Sequence, residues 1–191
     1  LTAQLENSSQ RSSQPGLWAE RFATMANLSA HKPGWDDRWE EFSNWAVRGK
    51  ACHDELIRLI DADTDAFNGI MDVIRMPKST DAEQAARAEA MEAATCVAID
   101  IPLRVMQVSL ESMETIRAMA KIGNPASASD AGVGALCARS AVMGGELNVR
   151  INVKDLVNEA TAKDYVNRAA AISAEAQTLE TEILALLEAN L

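Results

Sequence analysis

Residues 35–74 read WDDRWEEFSNWAVRGKACHDELIRLIDADTDAFNGIMDVI, and they decide the fold of this chain. Mostly apolar or small residues recur along this stretch at alternating steps of four and three. The stripe consists of Trp35, Trp39, Phe42, Ala46, Gly49, His53, Leu56, Ile60, Asp63, Phe67, Ile70 and Ile74. A mean spacing of about 3.5 residues is typical of the buried seam of a long helix that packs on other helices. We therefore predict a helix from about Trp35 to about Arg75, stopped by Pro77.

Two members of this stripe are polar, His53 and Asp63. Asp63 falls between Ile60 and Phe67 on the predicted apolar face, where an unpaired carboxylate is costly. We expect a buried Asp63, acting either in a structural hydrogen bond or, with a raised pKa, as a general acid or base. His53 precedes it by ten residues, or about 15 Å of helix. We therefore interpret His53 as a packing residue that cannot touch Asp63.

The composition excludes several classes of partner. The 191 residues include 28 acidic and 18 basic side chains, giving a formal charge of −10. This charge disfavours nucleic acid and anionic membranes as partners. Cys52, Cys96 and Cys137 lack metal-ligand spacing, so we expect free thiols and no metal site. No apolar run is interpreted as a membrane span, and we predict a soluble, cytoplasmic protein.

The rest of the chain predicts further helices. Residues 1–16 are polar and rich in Ser and Gln, which indicates a flexible lead-in before one helical domain over residues 17–191. That domain is expected to begin with a short helix over Leu17 to Ser29. A last helix from about Thr161 repeats the apolar stripe. The predicted fold is an all-α bundle of long antiparallel helices, of a kind that commonly dimerises.

A second long helix is predicted to start at a capping box formed by Thr80 and Glu83. Its second half is apolar on nearly every side, which predicts a central position. Pro102 should kink this helix or leave a carbonyl free. Asp100 and Arg104 lie one turn apart beside it, and either an ion pair between them or a substrate contact by Arg104 fits that spacing.

Polar residues cluster near tight backbone between residues 124 and 152. Small residues recur at helical spacing over residues 131–145, and they allow a neighbouring backbone to approach closely. Residues 147–153 alternate like a strand, but with no second strand in sight we prefer a buried extended or helical continuation. Amide-rich segments of this kind bind ligands, but cap and loop roles fit them equally well. The polar residues concerned are Asn124, Ser127, Asp130, Asn148 and Asn152.

Several runs in this sequence resemble the cyclodeaminase and methenyltetrahydrofolate cyclohydrolase family. They are GNPASASDAGV at 123–133, Ala138-Arg139, LNVRIN at 147–152, Asp61-Ala62-Asp63 with Ala66-Phe67, and Met76-Pro77-Lys78. The resemblance covers roughly residues 26–190. It implies an all-helical, intertwined homodimer that acts on a folate.

The resemblance also implies a reaction and a site. Cyclodeaminases convert formimidoyltetrahydrofolate into methenyltetrahydrofolate and ammonia, whereas cyclohydrolases interconvert the methenyl and formyl forms. The family's proposed catalytic aspartate falls on Asp63, and no cofactor or metal is implied beyond the folate substrate. The polar residues named above are then candidates for substrate binding, together with Arg139. Arg104, Arg139 or Lys78 could hold the glutamate tail of the folate.

The sequence departs from the family near its start. The family's Pro-Gly-Gly-Gly-Ser turn is reduced here to Pro15-Gly16, followed by the bulky Trp18 and Phe22. A glycine-rich turn lets backbone approach a ligand closely. A catalytically degenerate helical dimer that serves as a scaffold therefore stays open as an alternative to the enzyme.

Overall fold

The computed structural model describes residues 36–189 of the chain. Four α-helices form the described part: α1 (Trp39–Ile74), α2 (Asp81–Ile122), α3 (Ala128–Asn152) and α4 (Glu159–Glu188). Short segments join them, so consecutive helices run antiparallel. No strand occurs within residues 36–189, and the predicted all-α bundle is confirmed. The predicted lead-in over residues 1–16 and the short helix over Leu17 to Ser29 lie outside the described residues.

The ends of the helices follow from local side-chain chemistry. The capping box of α2 is confirmed, because the Thr80 hydroxyl accepts from the Glu83 amide and the Glu83 carboxylate accepts from the Thr80 amide. Ser127 is the N-cap residue of α3, but its side chain makes no capping hydrogen bond. Asn124 caps the preceding 3-10 turn instead, by accepting from the Ala126 amide at 3.2 Å.

Helix α2 lies at the centre of the bundle, as predicted from its apolar surface. It packs against α1, α3 and α4, and its fully buried side chains include Ile99, Leu103, Met106 and Ile116. By length and composition alone α2 is able to cross a membrane, contrary to the prediction that no segment qualifies. The core helix of a bundle meets the same criterion, and packing against three helices accounts for this composition.

Helix α1 packs mainly on α2, and this changes which of its residues are buried. The buried residues are Phe42, Ala46, Gly49, Cys52, Leu56, Leu59 and Ala66. Beyond Leu56 the buried row therefore follows Leu59 and Ala66, one position before the predicted Ile60 and Phe67. Asp63 is exposed, so the prediction that it is buried in the seam is wrong. Among residues 36–189, α2 is the main helix that packs on α1, and it covers a narrow face of α1 with Asp63 at the edge.

Helix α3 is continuous through the segment that alternates like a strand. Residues 147–152 are helical, which confirms the predicted helical continuation. Within them Val149 is buried, whereas Leu147 and Ile151 are exposed, so the predicted burial holds for one face of the segment only. Helix α3 carries a row of exposed apolar side chains at helical spacing, which we call the α3 apolar row. It consists of Val133, Leu136, Met143, Leu147 and Ile151. The opposite face of α3 packs closely on α2 and α4.

The small residues of α3 allow this close packing. A Cβ at Gly145 would lie 2.5 Å from Met106 Cγ and 3.0 Å from the Pro102 carbonyl oxygen. A Cβ at Gly144 would meet no atom within 4 Å. The predicted close approach of a neighbouring backbone is thus confirmed at Gly145, where α3 crosses α2 beside Pro102.

We expect Gly145→Val to lower the free energy of unfolding by about 2–3 kcal/mol, because the added methyl groups overpack the α2–α3 contact. Gly144→Val, one residue earlier on the open face, is the matched control and should change it by less than about 0.5 kcal/mol. Urea unfolding followed by circular dichroism measures both. Equal effects of the two substitutions would contradict the close contact at Gly145.

The predicted ion pair between Asp100 and Arg104 is wrong. Arg104 instead binds Glu55 on α1 at 3.3 Å and Glu111 at 3.1 Å, and Asp100 accepts a hydrogen bond from the Tyr165 hydroxyl at 2.9 Å. Burial, and then the hydrogen bond to Asp100, raise the pKa of Tyr165. Arg104 and Asp100 therefore each link α2 to another helix, and they do not pair with each other.

Glu55 should make the stability of the fold depend on pH. The hydrogen bond from Arg58, and then the one from Arg104, lower its pKa from 4.5 to about 2. Its stabilising contribution is therefore present above about pH 5 and is lost as the pH falls toward 2. We expect Glu55→Gln to remove about 1 kcal/mol at pH 7 and to flatten the decline in that window. Urea unfolding at several pH values, with Glu188→Gln as control, tests this; unchanged pH dependence in the Glu55 variant would contradict it.

Candidate active site

Asp63 lies between two clefts on the surface formed by α1, α2 and α3. The first cleft has a volume of about 310 Å³, and Asp63, Thr64 and Asn148 are polar groups at its edge. Its walls are mainly apolar side chains of α1 and α2, namely Leu56, Leu59, Ile60, Ile101, Pro102 and Val105. A cleft with apolar walls and a few polar groups is typical of a small-molecule binding site.

The second cleft lies on the other side of Asp63 and is more polar. It has a volume of about 250 Å³ and is lined by Asp63, Thr95, Asn152 and Asp155 among others. Ala66, Phe67 and Ile70 supply its α1 wall. Asp63 is the residue that lines both clefts, so its carboxyl group is available to ligand atoms on either side.

The Asp63 carboxylate has no hydrogen-bond or ion-pair partner among residues 36–189. The predicted alternative of a structural hydrogen bond is thus not found among the described residues, and the carboxylate is exposed rather than buried. What the geometry provides is an unpaired carboxylate at the boundary between an apolar slot and a polar cleft. Such a group can accept a proton from one ligand atom and deliver it to another.

Pro102 explains how the polar cleft is built. Proline has no N–H, so Pro102 cannot donate to the carbonyl of Ala98 one turn earlier. The side chain of Asn152, at the end of α3, donates from Nδ2 to that carbonyl at 3.2 Å. The prediction that Pro102 leaves a carbonyl free within α2 is confirmed, and a side chain from another helix satisfies that carbonyl.

The remaining predicted site residues lie elsewhere. Asn124 and Ser127 belong to the turn before α3, and Asp130 lies in the first turn of that helix. Arg139 donates to the Ser173 hydroxyl at 3.3 Å and lies 3.6 Å from the Glu180 carboxylate. The structure therefore brings Asp63 together with Asn148 and Asn152 and places the other four away from both clefts.

Of the three basic residues considered for a glutamate tail, two contact acids. Arg104 binds Glu55 and Glu111, and Arg139 faces Glu180. Lys78 makes no ion pair among the described residues, and it lines a third cleft of about 450 Å³ together with Arg87, Glu92 and Asp155. Asp155 lines both this cleft and the polar cleft beside Asp63, so the two are adjacent.

Sequence reasoning missed several members of the clefts. Thr64, Thr95 and Asp155 line them beside the predicted residues. The Ala98 carbonyl could have been identified from the sequence, because it lies four residues before Pro102 in a predicted helix. No sequence feature pointed to the two threonines. Within residues 36–189 no group of three His, Cys, Asp or Glu side chains is arranged to hold a metal ion.

Comparison with known proteins assigns the chain to a family. A family model described as formiminotransferase-cyclodeaminase matches residues 19–171. The chain belongs to the formiminotransferase-cyclodeaminase family. This match confirms the resemblance drawn from the sequence motifs, and it includes Asp63 and both asparagines of the clefts.

Individual relatives carry two different names within this family. Formimidoyltransferase-cyclodeaminase from Gallus gallus is 33% identical over 135 residues, which cover 71% of this chain and 25% of that protein. Methenyltetrahydrofolate cyclohydrolase from Methylorubrum extorquens is 33% identical over 167 residues, covering 87% of this chain and 80% of that protein. The chain thus spans about a quarter of the vertebrate relative but most of the bacterial one.

The fold also matches a solved structure. The crystal structure of formiminotetrahydrofolate cyclodeaminase from Thermotoga maritima superposes with a TM-score of 0.80 over 92% of this chain and 83% of that one. Its sequence is 20% identical to this chain. At that identity the likeness establishes the shared cyclodeaminase-type helical fold of this family.

Proposed function

We propose that this chain closes formimidoyltetrahydrofolate to methenyltetrahydrofolate and releases ammonia. The observation that carries the proposal is the unpaired Asp63 carboxylate, which lies between an apolar slot and a polar cleft. Family membership supplies the substrate class, since its relatives are named for reactions of formimidoyl- and methenyltetrahydrofolate. The substrate would be the folate itself, with no further cofactor.

The two clefts suit the two parts of the reaction. The apolar slot, walled by Leu59, Ile101 and Val105, has a size and lining that suit the pteridine ring. The polar cleft beside it would receive the nitrogen that leaves. Asn148 and Asn152, one in each cleft, are the substrate-binding residues that this arrangement favours.

The chemistry needs one group that moves a proton. N10 of the folate attacks the carbon of the N5-formimidoyl group, whose nitrogen is protonated in the substrate. The attack forms a C–N bond and a tetrahedral carbon that carries an amino group. Asp63 removes the proton from N10 and then protonates that amino group. The C–N bond to the amino group breaks, and ammonia leaves with the electron pair. The product is the methenyl bridge between N5 and N10, and the carboxylate is regenerated.

The cyclohydrolase reaction is the second candidate. The bacterial relative of that name is 33% identical to this chain and is matched over 80% of its length, and this similarity favours the reaction for which it is named. Asp63 would then remove a proton from water as it attacks the methenyl carbon and pass that proton to solvent. The C–N5 bond of the hydroxyl adduct then breaks, and the hydroxyl proton is transferred to N5, which leaves the formyl group on N10. The two reactions differ in their nitrogen product, because only the cyclodeaminase forms ammonia.

A second copy of the chain would complete the surface around the site. The α3 apolar row lies beside Asn148, and Phe67 of α1 is 64% exposed at the polar cleft. We therefore include a homodimer in the proposal, with the α3 apolar row at its interface. Asn124, Ser127, Asp130 and Arg139 stay predicted substrate ligands, and their role requires that dimer, because they line neither cleft of their own chain.

The cellular setting follows from the same proposal. A negatively charged folate enzyme acts on a small soluble substrate, so we propose a cytoplasmic location without a nucleic-acid or membrane partner. The scaffold alternative, favoured by the departure at Pro15-Gly16, concerns residues outside the described part. It predicts a folded chain that does not bind reduced folate.

Titration with a reduced folate separates the enzyme from the scaffold. We expect saturable binding of methenyltetrahydrofolate below millimolar concentration, measured by calorimetry on the full chain. Leu59→Glu, which places a charge in the wall of the apolar slot, should abolish this binding if the variant stays helical. A folded parent chain with no binding at millimolar folate would contradict the proposed function.

A further inference from the structure

The hydrogen bond between Asn152 and Ala98 determines which end of the Asn152 amide is free. The Ala98 carbonyl oxygen can only accept, so the group that meets it at 3.2 Å must be the Asn152 amino group, Nδ2. The two ends of the amide cannot be exchanged here, because two oxygens would then face each other. Pro102, by freeing that carbonyl, thus sets the orientation of a side chain on another helix.

The other end of the amide, the Oδ1 oxygen, is open to the cleft. No residue of the described part donates a hydrogen bond to Oδ1 of Asn152. Among residues 36–189, the buried side-chain polar atom without a partner is Ser109 Oγ. Oδ1 of Asn152 is therefore accessible to solvent, and its side chain lines the same polar cleft as Asp63. The cleft presents a carboxylate and an oriented neutral acceptor together.

We propose that Asn152 is a substrate-binding residue that accepts a hydrogen bond from the departing nitrogen and so directs it toward Asp63. This inference rests on the proposed cyclodeaminase reaction. The formimidoyl nitrogen carries N–H groups in the substrate, in the tetrahedral intermediate and in ammonia. The Asp63 carboxylate and the Asn152 Oδ1 oxygen can each accept a hydrogen bond from one N–H group of this nitrogen. Because the Asn152 oxygen is a neutral amide oxygen, it does not compete with Asp63 for the transferred proton.

A purely structural role for Asn152 makes a different prediction. If the side chain only satisfies the Ala98 carbonyl, any other donor to that carbonyl should replace it. Pro102→Ala supplies such a donor, because alanine restores the N–H four residues after Ala98. In the Pro102→Ala background, Asn152→Ala no longer leaves the Ala98 carbonyl without a partner. Any loss of catalysis that Asn152→Ala causes there is therefore not due to the loss of that structural hydrogen bond.

The experiment compares Asn152→Ala in the parent chain and in the Pro102→Ala background. We expect Asn152→Ala to lower the urea midpoint in the parent and to lower it much less in the Pro102→Ala background. We expect kcat/KM for ammonia release to fall about tenfold or more in both backgrounds, since the contact with the departing nitrogen is lost in each. If Pro102→Ala restores kcat/KM of the Asn152 variant to within twofold of Pro102→Ala alone, Asn152 is structural and the inference fails.

A second measurement does not depend on the Pro102 variant. The product methenyltetrahydrofolate lacks the departing nitrogen, so its Kd should stay within twofold in Asn152→Ala while kcat/KM falls. A parallel loss of product affinity would indicate a distorted site and would overturn the inference. An inactive parent chain would instead overturn the proposed function, and an active parent with a fully active Asn152→Ala variant would overturn the role of Asn152 alone.

Discussion

Asp63→Asn is expected to lower kcat for ammonia release by about 10²- to 10⁴-fold, the range that general acid–base groups contribute. Asparagine has nearly the same shape as aspartate but cannot take up the proton from N10 or deliver one to the leaving nitrogen. Because Asp63 is exposed and has no partner within the described residues, its replacement should leave stability almost unchanged. The loss of activity would therefore report chemistry rather than unfolding.

The matched control for this substitution is Asp61→Asn. Asp61 lies two residues earlier on α1, is also exposed, and lines neither of the two clefts beside Asp63. Asp61→Asn removes the same formal charge from the same turn of α1 as Asp63→Asn does. Because Asp61 does not line either cleft, kcat of this control should stay within about twofold of the parent. An Asp63→Asn variant that keeps more than a tenth of parental kcat, with an unchanged circular dichroism spectrum, would exclude Asp63 as the proton relay.

The double substitution Leu147→Glu and Ile151→Glu is expected to convert a dimer into a monomer. These side chains of the α3 apolar row are 66% and 60% exposed in the single chain. If a second copy covers them, two carboxylates per chain would be buried without partners, which costs several kcal/mol per interface. Sedimentation velocity should show the parent as a dimer and the variant at half its mass.

The control for the interface is Val157→Glu, which changes an apolar residue that is 86% exposed in the segment before α4. It lies outside the α3 apolar row and should leave the dimer intact. A parent chain that sediments as a monomer at micromolar concentration would contradict the proposed interface. A variant that remains dimeric would assign the interface to a different surface.

The periodicity of the apolar residues was sufficient to predict the helices but not their buried faces. Along α1 the spacing of apolar residues is regular over the whole helix, so the helix and its end before Pro77 could be predicted. Which edge of the stripe is buried depends on the number of helices that cover α1, and this number is not a local property. Ile60 and Phe67 are exposed for that reason, and Asp63 is exposed with them.

Polar partners far apart in the sequence limited the prediction of the site. Pro102 predicted a carbonyl without a helical partner at Ala98. Nothing in the sequence identified Asn152, which is 54 residues from Ala98, as the donor to that carbonyl. Arg104 likewise had a plausible acid one turn away in Asp100, and it binds Glu55 on another helix instead. Such pairs depend on how the helices pack. From the sequence alone, polar side chains at several positions are equally suitable partners for the same group.

Ammonia release from formimidoyltetrahydrofolate by the purified chain is the most direct measurement of the proposed ring closure. Ammonia is measured by a coupled assay and methenyltetrahydrofolate by absorbance in the same sample. We expect equal amounts of both products from the parent chain, and we expect the Asp63→Asn variant to form both far more slowly. Hydrolysis of methenyltetrahydrofolate without any ammonia release from the formimidoyl substrate would contradict the proposed ring closure.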